Sequence, residues 1–214
     1  MVSEFNIRFK LFPYSFIHAS TGNPYHIALL SEEAFEIKGR WDPSTNPAFQ
    51  RGALWAYITS RKLHVFVVHL HAHLLPTADL YAIPYLNISS EDVVFSAAKL
   101  FFAYGLGNAL TFPMAVGATS ILLPGPPDPK SVVTIFTKFQ PTLFFGVPTL
   151  FAMLLADKLP EQNKHSIRLS VSAGEPLPAD LLHRWKAKVG TEILDGIGTT
   201  EMLHIFVSNE IDDG

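Results

Sequence analysis

The sequence contains no cysteine. Disulfides, thiolate nucleophiles and cysteine-based metal sites are therefore excluded, and a reducing cytoplasm is the expected setting. Charge is scarce and balanced: 16 lysines and arginines stand against 19 aspartates and glutamates in 214 residues, a formal net charge of -3. That mixture lacks the basic face that nucleic acid or an anionic membrane requires, so neither is expected as a partner. From Leu100 to Pro127 there is no Asp, Glu, Lys, Arg or His. The stretch is long enough to span a bilayer, but Gly105, Gly107, Asn108, Pro113 and Gly117 are expected to cut it into a buried helix followed by a buried strand. Glycine is missing in turn between Gly52 and Gly105. The opening "MVSEFNIRFKLFPYSFIHAS" reads poorly as a signal peptide, because Glu4 sits in the region that should be positive and Pro13 and His18 interrupt the apolar run.

What the chain has is apolar bulk, 48% hydrophobic and 12% aromatic, enough for a packed core in one domain or a large piece of one. From about Val65 onward, apolar runs of strand length recur as "VFVVHL", "DVVFSA", "ATSILL", "PTLFFG", "IRLSVSA" and "TEILDG". Segments of helical length separate several of them: "HAHLLPTADLYAIPYL", "DPKSVVTIFTKF" with Asp128 as N-cap and Pro129 at the first helical position, "VPTLFAMLLADKL", and "LPADLLHRWKAKVG" ending in Lys and Gly. Strands apolar on both faces and alternating with helices predict an α/β fold, a mostly parallel sheet with helices on both faces. Residues 1–64 are polar, turn-rich and without clear period, so the expected division is an irregular segment 1–64 followed by a domain over 65–214. No internal repeat is present.

Ligands in such folds bind at the C-terminal ends of strands. Two loops lie there. In "SAGEPLP" Gly174 permits close approach of a flat ring, and Pro178 opens a helix. In "DGIGTTE" Gly196 and Gly198 free the backbone of Cβ interference. Thr199 and Thr200 offer hydroxyls to phosphate oxygens, and Glu201 is a hard oxygen ligand for Mg²⁺. Each loop also has a plain reading as a strand–turn–helix junction or a helix cap. In "KLFFAYG" the aromatic residues can surround a flat ring or simply fill core. His69, His71 and His73 alternate, as metal ligands on one face of a strand do.

Taken in this order, the two loops resemble the adenylate-forming acyl-CoA synthetase superfamily over about residues 67–209. "DVVFSAAKLFFAYGLGNALTFPMAVGAT" and "ILDGIGTTEMLHIFVSN" are similar to its benzoate-CoA ligase branch. The resemblance implies a fragment of the large N-terminal domain, acting on an aromatic carboxylate with ATP, Mg²⁺ and CoA to form acyl-AMP and then a thioester. It implies that Gly174, Glu175 and Pro176 line the adenine, with Asp195, Gly196 and Ile197 opposite. Gly198, Thr199 and Thr200 would complete the nucleotide site. Thr200 would donate to the α-phosphate and Glu201 would hold Mg²⁺, making these two the catalytic pair. The aryl pocket would be formed by Ala103, Tyr104, Phe112, Gly198, His204 and Ile205. The His-rich stretch corresponds to a junction that the superfamily uses structurally.

The resemblance also fails in places. A Ser/Thr/Gly-rich phosphate loop should precede Val67, where "ITSRKLHVF" stands instead, and without glycine the usual backbone cradle cannot form. "ASTGNPYH" (Ala19 to His26) looks like part of such a loop, displaced toward the N-terminus and with Tyr25 in place of a lysine. The ribose-binding Asp, the hinge and the lysine-bearing C-terminal domain would follow the last residue. The sequence therefore reads as the central part of an aryl-CoA ligase, inactive alone and prone to self-associate through uncovered apolar faces. A non-catalytic nucleotide- or aryl-acid-binding module and an interaction protein are the alternatives.

Overall fold

The computed structural model describes residues 7–8, 26–30, 53–59, 64–70, 73–157, 159–160 and 162–211. Ten strands occur among them: β1 (Ile7–Arg8), β2 (His26–Leu30), β3 (Ala53–Thr59), β4 (His64–Leu70), β5 (Val93–Ser96), β6 (Thr119–Ile121), β7 (Leu143–Gly146), β8 (Leu169–Ala173), β9 (Ile193–Gly198) and β10 (Ile205–Ser208). Seven form one sheet in the order β1-β6-β5-β7-β8-β9-β10. The five inner strands are parallel, and β1 and β10 pair antiparallel at the two edges. All six apolar runs singled out from the sequence contain a strand, and five of them are the parallel ones. β2, β3 and β4 make a separate antiparallel sheet. Residues 1–64, expected to be irregular, thus contribute β1, β2 and β3 among the described residues, and β3 pairs β4 across the expected division, from Ala53 opposite Leu70 to Ile58 opposite Val65.

Helices cover both faces of the large sheet. On one face lie α1, which runs Leu74–Thr77 and continues as a π-turn through Ala78–Ala82, and α2, which runs through Ala103–Leu106, Gly107–Thr111 and Phe112–Val116. On the other lie α3 (Pro129–Phe139), α4 (Pro148–Ala156) and α5 (Ala179–Val189). The parallel strands alternate their side chains between the two faces. Leu143, Phe145, Val171 and Leu194 point to the α1/α2 side, whereas Phe144 and Ile193 join Val132, Phe136, Phe151 and Trp185 on the other.

Local chemistry accounts for the helix ends. The Asp128 side chain accepts from the Ser131 amide at 3.1 Å, and Pro129 occupies a position whose N–H would have no partner. Val132, Ile135 and Phe136 then bury one stripe. α5 buries Leu181, Trp185 and Val189 at four-residue spacing and ends on Gly190, whose φ of 81° an L side chain resists.

The uncharged stretch after Leu100 is a helix followed by a strand; Gly117, at φ 77°, ends the helix, whereas Gly105 and Gly107 do not cut it. α2 is continuous over 103–116, and Gly105 and Gly107 are points of close contact. A Cβ on Gly105 would lie 2.1 Å from the Lys99 carbonyl oxygen, and one on Gly107 would lie 2.4 Å from the His204 ring. Pro113 has no N–H to offer the Ala109 carbonyl four residues back. The buried Ser120 hydroxyl of β6 donates to that oxygen instead, at 2.6 Å. Among the described residues no helix is long and apolar enough to cross a membrane.

The edge opposite the C-terminal strand ends is tied by one carboxylate. Asp92, 5% exposed, receives Arg168 Nε and an Arg168 terminal nitrogen at 2.9 Å each, the Thr142 hydroxyl at 2.6 Å and the Ser89 amide at 2.8 Å. Burial alone would raise its pKa. The bonds from Arg168, Thr142 and Ser89 outweigh that effect and hold the carboxyl below its ordinary value. Asp92→Ala would leave Arg168, which is partly exposed, with only the Leu86 and Asn87 carbonyls, and would remove the acceptor of Thr142 and Ser89; it is expected to cost about 2 kcal/mol. Chemical denaturation reads this directly, and a loss under about 1 kcal/mol would make the cluster incidental.

Candidate functional site

β8 and β9 lie side by side in parallel, with Ala173 level with Gly196. The chain after each strand therefore emerges at the same sheet edge, and the "SAGEPLP" and "DGIGTTE" loops become neighbours there. Gly174 adopts φ 89°, and a Cβ on it would touch only Val147 Cγ1, at 4.0 Å. The space in front of this glycine is open, as a wall for a flat ring requires. Glu175 does not face that space with a spare carboxylate. Its Oε2 accepts from the Thr149 hydroxyl at 2.6 Å and from the Thr149 amide at 3.2 Å, in the first turn of α4. Pro176 is exposed.

Asp195 is half-buried at the junction of the two loops. Burial raises its carboxyl above the ordinary pKa, against the pull of the Leu177 and Gly196 amides and the Ser172 hydroxyl around it. Its Oδ1 is buried without a hydrogen-bond partner among the described residues. Gly196 and Gly198 also make room within the fold. A Cβ on Gly196 would meet the Ile205 side chain at 2.6 Å, and one on Gly198 the His204 carbonyl oxygen at 2.7 Å, so both glycines admit β10. Ile197 is exposed between them.

The reversal from β9 to β10 is tightly tied. The Thr199 hydroxyl accepts from the Met202 amide at 3.2 Å, and the Thr200 carbonyl accepts from the Leu203 amide at 3.1 Å. Leu203 sits at φ 64°, a left-handed conformation rare for a bulky side chain. Glu201 projects from this turn and is exposed.

Four of the six aryl-pocket candidates converge. The His204 ring, 2% exposed, lies 4.5 Å from Phe112 and 5.5 Å from Tyr104, centroid to centroid, and Ile205 shares the core cluster of Phe112. Gly198 borders them through β10, and Ala103 opens α2 one residue before Tyr104. The Tyr104 hydroxyl donates toward the Gly146 and Val171 carbonyls at 3.2 and 3.0 Å, which places it across the ends of β7 and β8. His204 Nε2 lies 2.7 Å from Asn108 Oδ1, and burial drives its pKa down to about 3, so the imidazole is neutral. Asn108 and Tyr81, whose ring is 5.4 Å from His204, were missed from the sequence. The signal for Asn108 was present, as an amide inside an otherwise apolar helix.

An open cleft of about 580 Å³ adjoins this group, with His69, His73 and Glu201 on its wall and Leu80, Tyr81, Met202, Phe206 and Val207 among its apolar lining. His71 of the alternating histidines lies outside the described residues, as does the Thr21–Pro24 stretch. Among the described residues no group of three His, Asp or Glu side chains could hold a metal ion.

A parallel α/β sheet carrying an open glycine, a half-buried carboxylate and a Thr-Thr-Glu turn at its C-terminal edge has the place where α/β folds bind ligands. The family model "AMP-binding enzyme" matches residues 66–214, and the chain belongs to that family. It is 55% identical over 147 residues to a benzoate–CoA ligase of Thauera aromatica, covering 68% of this chain and 28% of that protein. A solved benzoate CoA ligase from Burkholderia xenovorans LB400 superposes with a TM-score of 0.67 at 54% identity, over 69% of this chain and 30% of that one. The anthranilate CoA ligase AuaEII, solved in complex with anthranoyl-AMP, superposes at 0.69 with 39% identity, over 75% of this chain and 31% of its own. The chain thus spans less than a third of the length of these relatives.

Proposed function

We propose that this chain carries the adenylate-binding loops of an aryl-carboxylate–CoA ligase. The observation that carries the reading is that the Gly174 and Thr200–Glu201 loops leave the adjacent parallel strands β8 and β9 at one sheet edge, beside the buried cluster of Tyr104, Phe112, His204 and Ile205. Adenine would lie between Gly174–Pro176 and Asp195–Ile197. Thr199 and Thr200 would hold the α-phosphate, with Gly198 beside them. The exposed Glu201 carboxylate fits a hard divalent cation, and Mg²⁺ held there would supply charge neutralisation beside the phosphate. The reaction of this class joins an aromatic carboxylate to AMP with release of pyrophosphate from ATP, after which the CoA thiol displaces AMP. A cytoplasmic setting belongs to the same proposal, as does self-association through the exposed Leu80, Phe206 and Val207. So does the division at residue 64, which the limit of the family match near residue 66 supports.

Where the resemblance places a phosphate loop, the described residues are the paired strands β3 and β4. Binding free energy then comes from adenine and the aryl ring, with little from the β- and γ-phosphates. A non-hydrolysable benzoyl-adenylate analogue is expected to bind at about 0.1 mM or weaker, and at least about tenfold more tightly than ATP. Ligand-observed NMR with both compounds tests this. Equal affinities would reveal a phosphate site, and no binding of either would sink the adenylate reading. The β3–β4 pairing also favours a second reading, a binding module without turnover. Incubation with ATP, Mg²⁺, CoA and benzoate separates the two, since thioester formation that Glu201→Ala abolishes is expected of a ligase only.

A further inference from the structure

His69 lies outside both loops, 131 residues before Thr200 in the chain, yet its Nε2 is 2.7 Å from the Thr200 carbonyl oxygen. A carbonyl only accepts, so Nε2 must carry the proton and Nδ1 the lone pair. The ring is buried where β4 ends, and burial lowers its pKa and keeps it neutral in this role. The Leu203 amide donates to the same oxygen. Both lone pairs of the Thr200 carbonyl are therefore engaged, one from within the turn and one from a separate sheet. The peptide plane between Thr200 and Glu201 contains that carbonyl, so fixing it fixes where the Glu201 Cα sits and leaves the carboxylate fewer ways to swing.

We propose that His69 is a positioning residue for the Thr200–Glu201 pair, anchoring the turn that presents hydroxyl and carboxylate to a nucleotide phosphate. The inference rests on the adenylate-binding reading for its purpose, but the anchoring itself does not depend on a ligand. It also gives β4 a role: β3 pairs along its whole length, from Ala53 opposite Leu70 to Thr59 opposite His64. The small sheet braces the histidine, and the histidine braces the turn.

The test uses the full chain and two variants. His69→Gln keeps an N–H donor close to the position of Nε2, and His69→Phe keeps the ring and removes the donor. In the wild type, long-range ¹H–¹⁵N correlation of the imidazole is expected to show the Nε2–H tautomer. In His69→Phe, hydrogen exchange at the Met202 and Leu203 amides is expected to quicken about tenfold, as loss of one buried hydrogen bond allows, while amides of β8 stay as they were. His69→Gln is expected to keep the slower exchange. With Mg²⁺ present, the benzoyl-adenylate analogue is expected to bind about tenfold more weakly to His69→Phe and within about threefold of wild type to His69→Gln. An Nδ1–H tautomer, unchanged exchange at Met202 and Leu203, or equal loss of binding in both variants would each overturn the proposal. Failure of the wild type to bind the analogue would remove the adenylate reading alone, with the tautomer and exchange measurements still deciding the anchor. Should His69→Phe not fold, the wild-type tautomer and the behaviour of His69→Gln decide it.

Discussion

Lowering the pH from 7 to 4.5 is expected to cost the folded chain about 2.5 kcal/mol through His204 alone. The imidazole is buried among Tyr81, Tyr104 and Phe112, and its pKa falls to about 3 because burial penalises the charged form. An unfolded histidine titrates near 6.5. Between those values the unfolded chain binds a proton that the folded chain refuses, so acid draws the population toward unfolding. Stability from this source is complete above pH 6.5 and is lost progressively as the pH falls toward 3, at about 1.4 kcal/mol per pH unit. His69 and His165, also lowered by burial, add to the same trend. The comparison that isolates His204 is His204→Phe, which cannot titrate. The variant should be the less stable at pH 7, because Asn108 Oδ1 loses its donor, at a cost of about 1–3 kcal/mol. The gap should then narrow by about 2.5 kcal/mol at pH 4.5. Urea unfolding of both proteins across this range gives the answer, and two parallel curves would show that His204 takes up its proton without strain.

Phe144→Ala should remove about 4 kcal/mol of stability. Phe144 is fully buried at the centre of an aromatic cluster, with Phe136 at 4.9 Å, Phe151 at 5.3 Å, Phe95 at 5.8 Å and Trp185 at 6.0 Å between ring centroids. No single neighbour can move to fill the gap, because each is held by its own strand or helix. The loss therefore combines the transfer of the ring with a cavity that stays open. For a chain of this length it corresponds to a fall in Tm of about 10 °C. A change below about 1.5 kcal/mol would mean that the cluster repacks like a liquid. The substitution lies on the α3/α4/α5 face, away from the His204 cluster on the other, so analogue binding by the folded fraction should survive it.

The parallel sheet was legible because five consecutive strands are apolar on both faces and each is spaced from the next by helix or turn signals. The caps of α3 were legible too, since an Asp followed by Pro leaves the backbone few alternatives. What escaped is the set of features that depends on distant partners. α2 holds two glycines and a proline that ordinarily break helices. It survives because Lys99 and His204 fill the space a Cβ would take and Ser120 serves the carbonyl that Pro113 cannot. β10 was not marked as a strand, because Gly196 and Gly198 read locally as a loop for a ligand, and only the tertiary structure shows Ile205 and His204 using that room. The contact from His69 to Thr200 crosses more than half the chain, and no local pattern in "VVHLHAH" distinguishes it from a metal motif or a plain strand end.

The left-handed Leu203 has a consequence for how β9 and β10 come together. Chain reversals normally place glycine or asparagine where φ is positive, and a leucine there carries a conformational penalty of about 1–2 kcal/mol. Leu203 recovers more than this by burying its side chain with Leu106 and Leu110 of α2, a gain of about 1.5–3 kcal/mol. The reversal is therefore stable only after α2 is in place to receive the side chain. The β9–β10 hairpin is not an autonomous unit. Cut out as a peptide of residues 193–208, it would lack both the apolar seat for Leu203 and the imidazole on Thr200, and the turn would relax to right-handed geometry with its two strands apart.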